Sequence, residues 1–297
     1  MRFANLDGRL VLIVSDTTAV DVEQASGGRF RSDPQSAYDR WDDFLEWAAT
    51  ADTASAVAFD PASLGAPVPR PRQVFAIGLN YAAHAAETGA SLPPAPNTFT
   101  KFPTCLVGPY ADIELVSDHC DWEVELVAVI GRECRQVTAA DAWSSVAGLT
   151  VGQDISERIV QRTPPANQFN LGKSFTTFGP TGPWVVTVDE FANPDDLALS
   201  CGVGDETLQS SRTSDLIFSV PATVAYLSGV VTLLPGDIIF TGTPGGVGMA
   251  RKPQRFLEPG QVLESTIEGI GTIRNRCVRA ATGVPTAAPW PHKLSTQ

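Results

Sequence analysis

The chain has no cysteine framework. Its five cysteines, Cys105, Cys120, Cys134, Cys201 and Cys277, are scattered, odd in number and without a CxxC pair. That excludes a disulfide scaffold and a structural zinc site, and it reads as the reduced thiols of a cytoplasmic protein. Positive charge is also short: 21 Lys and Arg stand against 33 Asp and Glu, a net charge of -12 with no basic run. A nucleic-acid partner is thereby excluded, whereas small anionic substrates stay open because a bound cation inverts the local field. No apolar run is long enough to span a bilayer, and residues 1–8 lack the apolar segment of a secretory signal. No internal repeat is visible. Histidine is scarce, with only His84, His119 and His292 in 297 residues.

The remainder is an ordinary globular composition, 43% hydrophobic and 18% charged, long enough for one large domain and a small one. With 25 Gly and 23 Pro, turns are many and a strand-rich body is expected. Residues 1–68 read as a small N-terminal α+β domain. There Asp7-Gly8 between two apolar runs signals a hairpin, and Asp33-Pro34 opens a helix whose Ala37, Trp41, Phe44, Leu45 and Ala48 recur at helical spacing. The proline-rich stretch 61–71 reads as a linker. The main domain, 69–281, carries short strands at 74–77, 113–116, 123–130, 184–188, 237–240 and 262–267. Thr138 to Asp141 resembles a capping box, and 221–228 a further helix. Residues 282–297 read as a C-terminal extension.

The chemistry concentrates in a few places. In Asp121-Trp122-Glu123-Val124-Glu125 the period of two puts Glu123 and Glu125 on one strand face. An exposed acidic strand would look the same, but two carboxylates held close are best explained by a hard divalent cation. Asp154, closing an apolar stretch, offers a third. His84 and Glu87 sit three apart in an alanine-rich helical run, so the carboxylate can orient the imidazole. The loop after them is too rich in proline for regular structure and suits a lid. Ser156 can cap a short helix that sets Arg158 and Gln161 on one face. Lys173 lies in an apolar, aromatic stretch where a partly buried ammonium stabilises an oxyanion or enolate. The glycine-rich loop after Phe240 lacks the Lys-Ser/Thr ending of a phosphate loop, so its amides and Thr hydroxyls suit a carboxylate instead.

Taken together these segments resemble the fumarylacetoacetate hydrolase family, which also holds acylpyruvate hydrolases, oxaloacetate decarboxylases and homoprotocatechuate-pathway isomerases. The matching residues run in family order: Gly78-Leu79-Asn80-Tyr81 with His84 and Glu87, Lys101, Glu123 and Glu125, Asp154 with Arg158 and Gln161, Gly172-Lys173-Ser174, Gly182-Pro183-Trp184, and 235–244 with Thr243. The resemblance implies an α+β fold, a mainly-β mixed β-sandwich roll. It implies a homodimer, and Mg²⁺, Mn²⁺ or Ca²⁺ on Glu123, Glu125 and Asp154. His84, Glu87 and Lys173 are implied as catalytic, and Arg158, Gln161, Thr243, Lys101 and Tyr81 as substrate-binding. Animal fumarylacetoacetate hydrolases carry a further aspartate upstream of the histidine. Ile77 stands seven residues before His84, so the chain resembles the smaller bacterial-type members instead. The implied reaction is metal-dependent hydrolysis of a C–C bond in an acylpyruvate- or fumarylpyruvate-type acid. Decarboxylation of oxaloacetate or isomerisation of a hydroxymuconate-type diacid is the alternative on the same site, and a metal-binding scaffold without turnover the remote one.

Overall fold

The computed structural model describes residues 1–284; from residue 285 on, the expected C-terminal extension and His292 lie outside the described residues. Two sheets dominate. The larger one is mixed and runs, strand by strand, Val57–Ala58, Thr18–Asp21, Arg9–Ser15, Arg2–Leu6, Gly179–Val186, Val146–Gln153, Val124–Ile130, Ile238–Phe240, Val74–Gly78 and Asn97–Thr100. The second, of five strands, runs Glu206–Arg212, Ala198–Val203, Val262–Ile267, Gly271–Arg279 and Ile113–Leu115. This is the α+β, mainly-β mixed sandwich expected from the sequence.

The Val124–Ile130 strand explains the layering. All seven residues are buried, because it lies mid-sheet with layers on both faces. Val124, Leu126, Ala128 and Ile130 face the five-stranded sheet and join Leu199, Leu263 and Ile273 in one core. Val127 and Val129 face the other way, into a second core with Phe3, Trp41, Phe44 and Phe240. By the same alternation Glu125 belongs to this second face, at the end of the strand where the apolar core gives way to a cavity.

The N-terminal segment adds directly to the large sheet: Arg2–Leu6 pairs with Gly179–Val186, setting Phe3 opposite Val185. Asp7-Gly8 makes the expected hairpin turn, with positive φ at both residues. Asp33 caps Gln35 N at 3.1 Å, and Pro34 opens a 3₁₀ turn, Pro34–Arg40, that runs into the helix Trp41–Ala48. The stretch 61–71 is not a free linker. Leu64–Gly65 pairs with Arg2–Leu6 and Val68 is buried in the second core, so backbone pairing and apolar burial pin it. Thr138 spends its hydroxyl on the Asp141 carboxylate (2.7 Å) rather than on a helix amide, and only a 3₁₀ turn, Ala142–Ser145, follows. The expected helix near 221–228 is Val220–Val230, capped by Ser219.

Candidate active site

Three carboxylates meet at the end of the central strands. Glu123 and Glu125 come from the start of the Val124–Ile130 strand, and Asp154 from just beyond its neighbour, Val146–Gln153. One oxygen from each lies within 4.8 Å of the others, and all three residues are buried. Their charges are balanced unequally. Glu123 faces Lys173 Nζ (2.6 Å) and Arg158 Nη2 (2.7 Å). Burial alone would raise its pKa, but these cations hold it below the usual carboxylate range. Asp154 faces Lys173 and Lys101. Glu125 has no cationic partner among the described residues and accepts only Gly242 N–H, at 2.7 Å. Burial, with Asp154 and Glu123 beside it, pushes its pKa well above the usual value. Three hard oxygen donors with one uncompensated charge fit a hard divalent cation such as Mg²⁺, Mn²⁺ or Ca²⁺.

The cations divide into two kinds. Lys173 follows the short helix Phe169–Gly172 and spans Glu123 and Asp154 at 2.6 Å each, beside the cavity. Those carboxylates outweigh burial and raise its pKa. Lys101, expected to bind substrate, is fully buried behind the site. Its ammonium is saturated by Asp154 (2.6 Å), the Phe178 carbonyl (3.1 Å) and the Lys173 carbonyl, so here it is a buried counter-charge outside the cavity lining. Tyr81, expected in the same role, is also buried. Its hydroxyl has no hydrogen-bond partner among the described residues, and its pKa is raised by burial and by Glu125.

Arg158 and Gln161 line the cavity from one helical turn, Arg158–Gln161, and Nη1 of Arg158 donates to Gln161 Oε1 at 2.9 Å. The cap is Glu157, which accepts Val160 N–H, and not Ser156, whose hydroxyl turns back to the Asp154 carbonyl. The residue that sequence reasoning missed is Asp121. Fully buried, it accepts Arg158 Nε at 2.9 Å and lies 2.8 Å from Nη2. The Nη2 contacts to Asp121 and Glu123 are close in charge but poorly aligned as hydrogen bonds. Asp121 continues the period of two that runs through Glu123 and Glu125, the one signal that could have found it.

The glycine-rich loop does hold carboxylates, but they are the protein's own. Gly242 N–H donates to Glu125, Gly246 N–H to Glu87 (2.7 Å), and Gly248 and Met249 N–H to Asp121 (2.8 and 2.9 Å). Thr243 lines the cavity, with its hydroxyl donating to the Val124 carbonyl and accepting from Gln209. Gly242 has φ +103°, and a Cβ there would lie 2.6 Å from that of Asn80, so a side chain is excluded twice over.

His84 stands on the helix Ala82–Thr88 and lines the cavity, with Nδ1 2.7 Å from Glu87 Oε1. An ionised Glu87 fixes the proton on Nδ1 and leaves the Nε2 lone pair as the available base. Glu87 thus grips His84 with one oxygen and the loop amide of Gly246 with the other. Asn80 anchors the start of this segment through Thr241 and Phe218, whereas residues 90–96 form no helix or strand.

A cavity of ≈ 220 Å³ opens over these groups. Ile77, which occupies the place of the extra aspartate, forms part of its apolar wall. Gly172 sets the packing beneath it: a Cβ would come within 2.6 Å of Gln161 N and 2.7 Å of its Cα. Gly172→Ala is therefore expected to push Lys173 and Gln161 apart and to cost about 10²-fold in turnover, with a measurable fall in Tm. Unchanged kinetics would place that packing outside the site's requirements. Among the described residues no helix is long and apolar enough to cross a membrane.

The model of the fumarylacetoacetate (FAA) hydrolase C-terminal family matches residues 73–278, more than half of the chain. The chain is 45% identical over 215 residues to the mitochondrial oxaloacetate tautomerase FAHD2A of Bos taurus, covering 72% of this chain and 68% of that one. A crystal structure of a Mycobacterium smegmatis protein described as HpcE superposes with a TM-score of 0.90 at 51% identity, over 94% of this chain and all of the other. Maleylpyruvate hydrolase from Sphingobium sp. SYK-6, solved with manganese(II) and pyruvate, superposes with a TM-score of 0.74 at 27% identity, over 94% and 100% of the two chains.

Proposed function

The chain belongs to the fumarylacetoacetate hydrolase family, and on that premise we propose that it is a divalent-metal-dependent enzyme that enolises a small 2-oxo acid, with keto–enol tautomerisation of an oxaloacetate-type acid as its reaction. One observation carries the reading: a proton carrier, His84 held by Glu87, and a buried ammonium, Lys173, line the same cavity as the carboxylate cluster. The 45% identity to a protein named as an oxaloacetate tautomerase supports the choice of reaction. Glu123, Glu125 and Asp154 would hold the cation, which supplies Lewis acidity that lowers the cost of negative charge on the 2-oxo group. Arg158 and Gln161 orient the acid's polar end from the cavity floor. His84 moves the proton between carbon and oxygen, keeping its tautomer through Glu87. Lys173 stabilises the enolate oxygen from the cavity floor.

Hydrolysis of a C–C bond in an acylpyruvate is the second reading, favoured by the likeness to maleylpyruvate hydrolase. There His84 would take its proton from water instead of carbon. Ultraviolet assays of enol-oxaloacetate, acetylpyruvate and fumarylpyruvate with the Mg²⁺-loaded protein separate the two. Cleavage of an acylpyruvate, with oxaloacetate tautomerising only at its spontaneous rate, would overturn the first reading in favour of the second. The cation itself has a thermal signature. At about a hundredfold excess over its dissociation constant, Mn²⁺ is expected to raise the Tm of the stripped protein by roughly 5–10 °C. Five free, buried cysteines suit a reducing compartment such as the cytoplasm, and a homodimer belongs to the same reading, to be measured by sedimentation equilibrium.

A further inference from the structure

The cavity is graded from floor to mouth. On the floor, Glu123, Arg158, Gln161, Lys173 and Thr243 are buried and their polar groups engage one another or the backbone. The wall above them is apolar, built by Ile77, Leu79, Phe99 and Phe169. The mouth is polar again: Asn97, Arg162 and Asn167 are exposed, and among the described residues none of their side chains makes a hydrogen bond or ion pair. Most other surface arginines of this acidic chain find carboxylates, as Arg212 does in Asp196 and Arg276 in Asp112; Arg29, Arg31, Arg72 and Arg135 find none among the described residues, but none of those lines the cavity.

Arg158 opens the single helical turn Arg158–Gln161 and Arg162 caps its C-terminal end, and both line the cavity. The inner one is neutralised by Asp121 and Glu123 and has little net charge to offer a second anion. The outer one has no such partner among the described residues. A short acid whose 2-oxo head sits at the carboxylate cluster must direct its far end along the apolar wall towards the mouth.

We propose that Arg162 is a specificity residue that binds a second carboxylate at the far end of the substrate, so that the site prefers 2-oxo dicarboxylates to monocarboxylates of equal length. The inference rests on the 2-oxo acid reading above and assigns which residue reads the other end. A planar guanidinium pairs with a carboxylate through two parallel N–H donors, a geometry an ammonium reproduces only in part. Exposure to solvent limits the discrimination to about tenfold.

The test is calorimetry on the Mg²⁺-loaded protein with 2-oxoglutarate and 2-oxovalerate, which have the same carbon chain and differ only in a terminal carboxylate or methyl. The wild type is expected to bind the diacid about tenfold more tightly, with the preference shrinking as salt is added. Arg162→Gln should bring the ratio to about one, and Arg162→Lys should keep part of it. A ratio unchanged in Arg162→Gln, or a wild type that binds the monoacid equally well, overturns the assignment alone. If the wild type binds neither acid, the 2-oxo acid reading falls and takes this inference with it.

Discussion

Replacing Glu125 by glutamine is expected to cut metal-dependent turnover by roughly 10³-fold or more and, in the same molecule, to stabilise the metal-free protein. The two effects have opposite signs because Glu125 is the one carboxylate of the cluster with no cationic partner among the described residues. Glutamine keeps the acceptor for Gly242 N–H and can turn its amide nitrogen towards Glu123 and Asp154, replacing repulsion by donation. The gain should be about 1 kcal/mol, or roughly 2–3 °C in Tm for a chain of this size. It should also depend on pH. An acid whose folded-state pKa is raised contributes stability below its ordinary pKa and loses it as pH rises through the folded value. The margin of the variant over the wild type should therefore widen as pH rises above the ordinary carboxylate range and through the raised pKa of Glu125. Thermal melts in chelator read this without any assay of turnover. A variant that melts below the wild type would mean that Glu125 is compensated by a charge other than a metal.

His84→Ala is expected to slow the reaction by about 10²–10⁴-fold, the ordinary worth of a positioned proton carrier, while leaving the affinity for Mn²⁺ within about threefold. The separation is the point of the experiment, since His84 bonds Glu87 and touches none of the three cluster carboxylates through a hydrogen bond. Glu87→Gln should cost less, because the imidazole stays in place. Glu87→Ala should cost more than Glu87→Gln, because it releases both the imidazole and the amide of Gly246. In deuterium oxide, exchange at the carbon next to the 2-oxo group should slow in step with turnover. Full exchange in His84→Ala would transfer the base assignment to another group.

How much of this was legible in the sequence depended on whether a residue answered to local chemistry or to distant partners. The hairpin at Asp7-Gly8, the start at Asp33-Pro34 and the helical pairing of His84 with Glu87 are set within a few residues and are found where the pattern places them. The Val146–Gln153 strand showed no alternation because both of its faces are buried, so it read only as an apolar stretch. Lys101 stands in family order beside true cavity residues, but its direction is fixed by Asp154 and the Phe178 carbonyl, 53 and 77 positions away. Asp121 was hidden for the same reason: its meaning lies in Arg158 and in two amides more than a hundred residues later. The loop after Phe240 was read as suited to a carboxylate, and it holds three of the protein's own; nothing in its glycines tells whose carboxylates they are.

That loop sets a limit on what side-chain mutagenesis can reveal. The groups by which it holds Glu125, Glu87 and Asp121 are peptide N–H donors, which every residue other than proline carries. An alanine scan would report only whether a methyl fits, and would score the contacts themselves as silent. Replacing the amide at position 246 by an ester, through semisynthesis or non-coded translation, removes one donor and leaves the shape intact. Position 246 then becomes the place where loosening the His84–Glu87 pair can be dosed by a single atom, with the carboxylate cluster untouched.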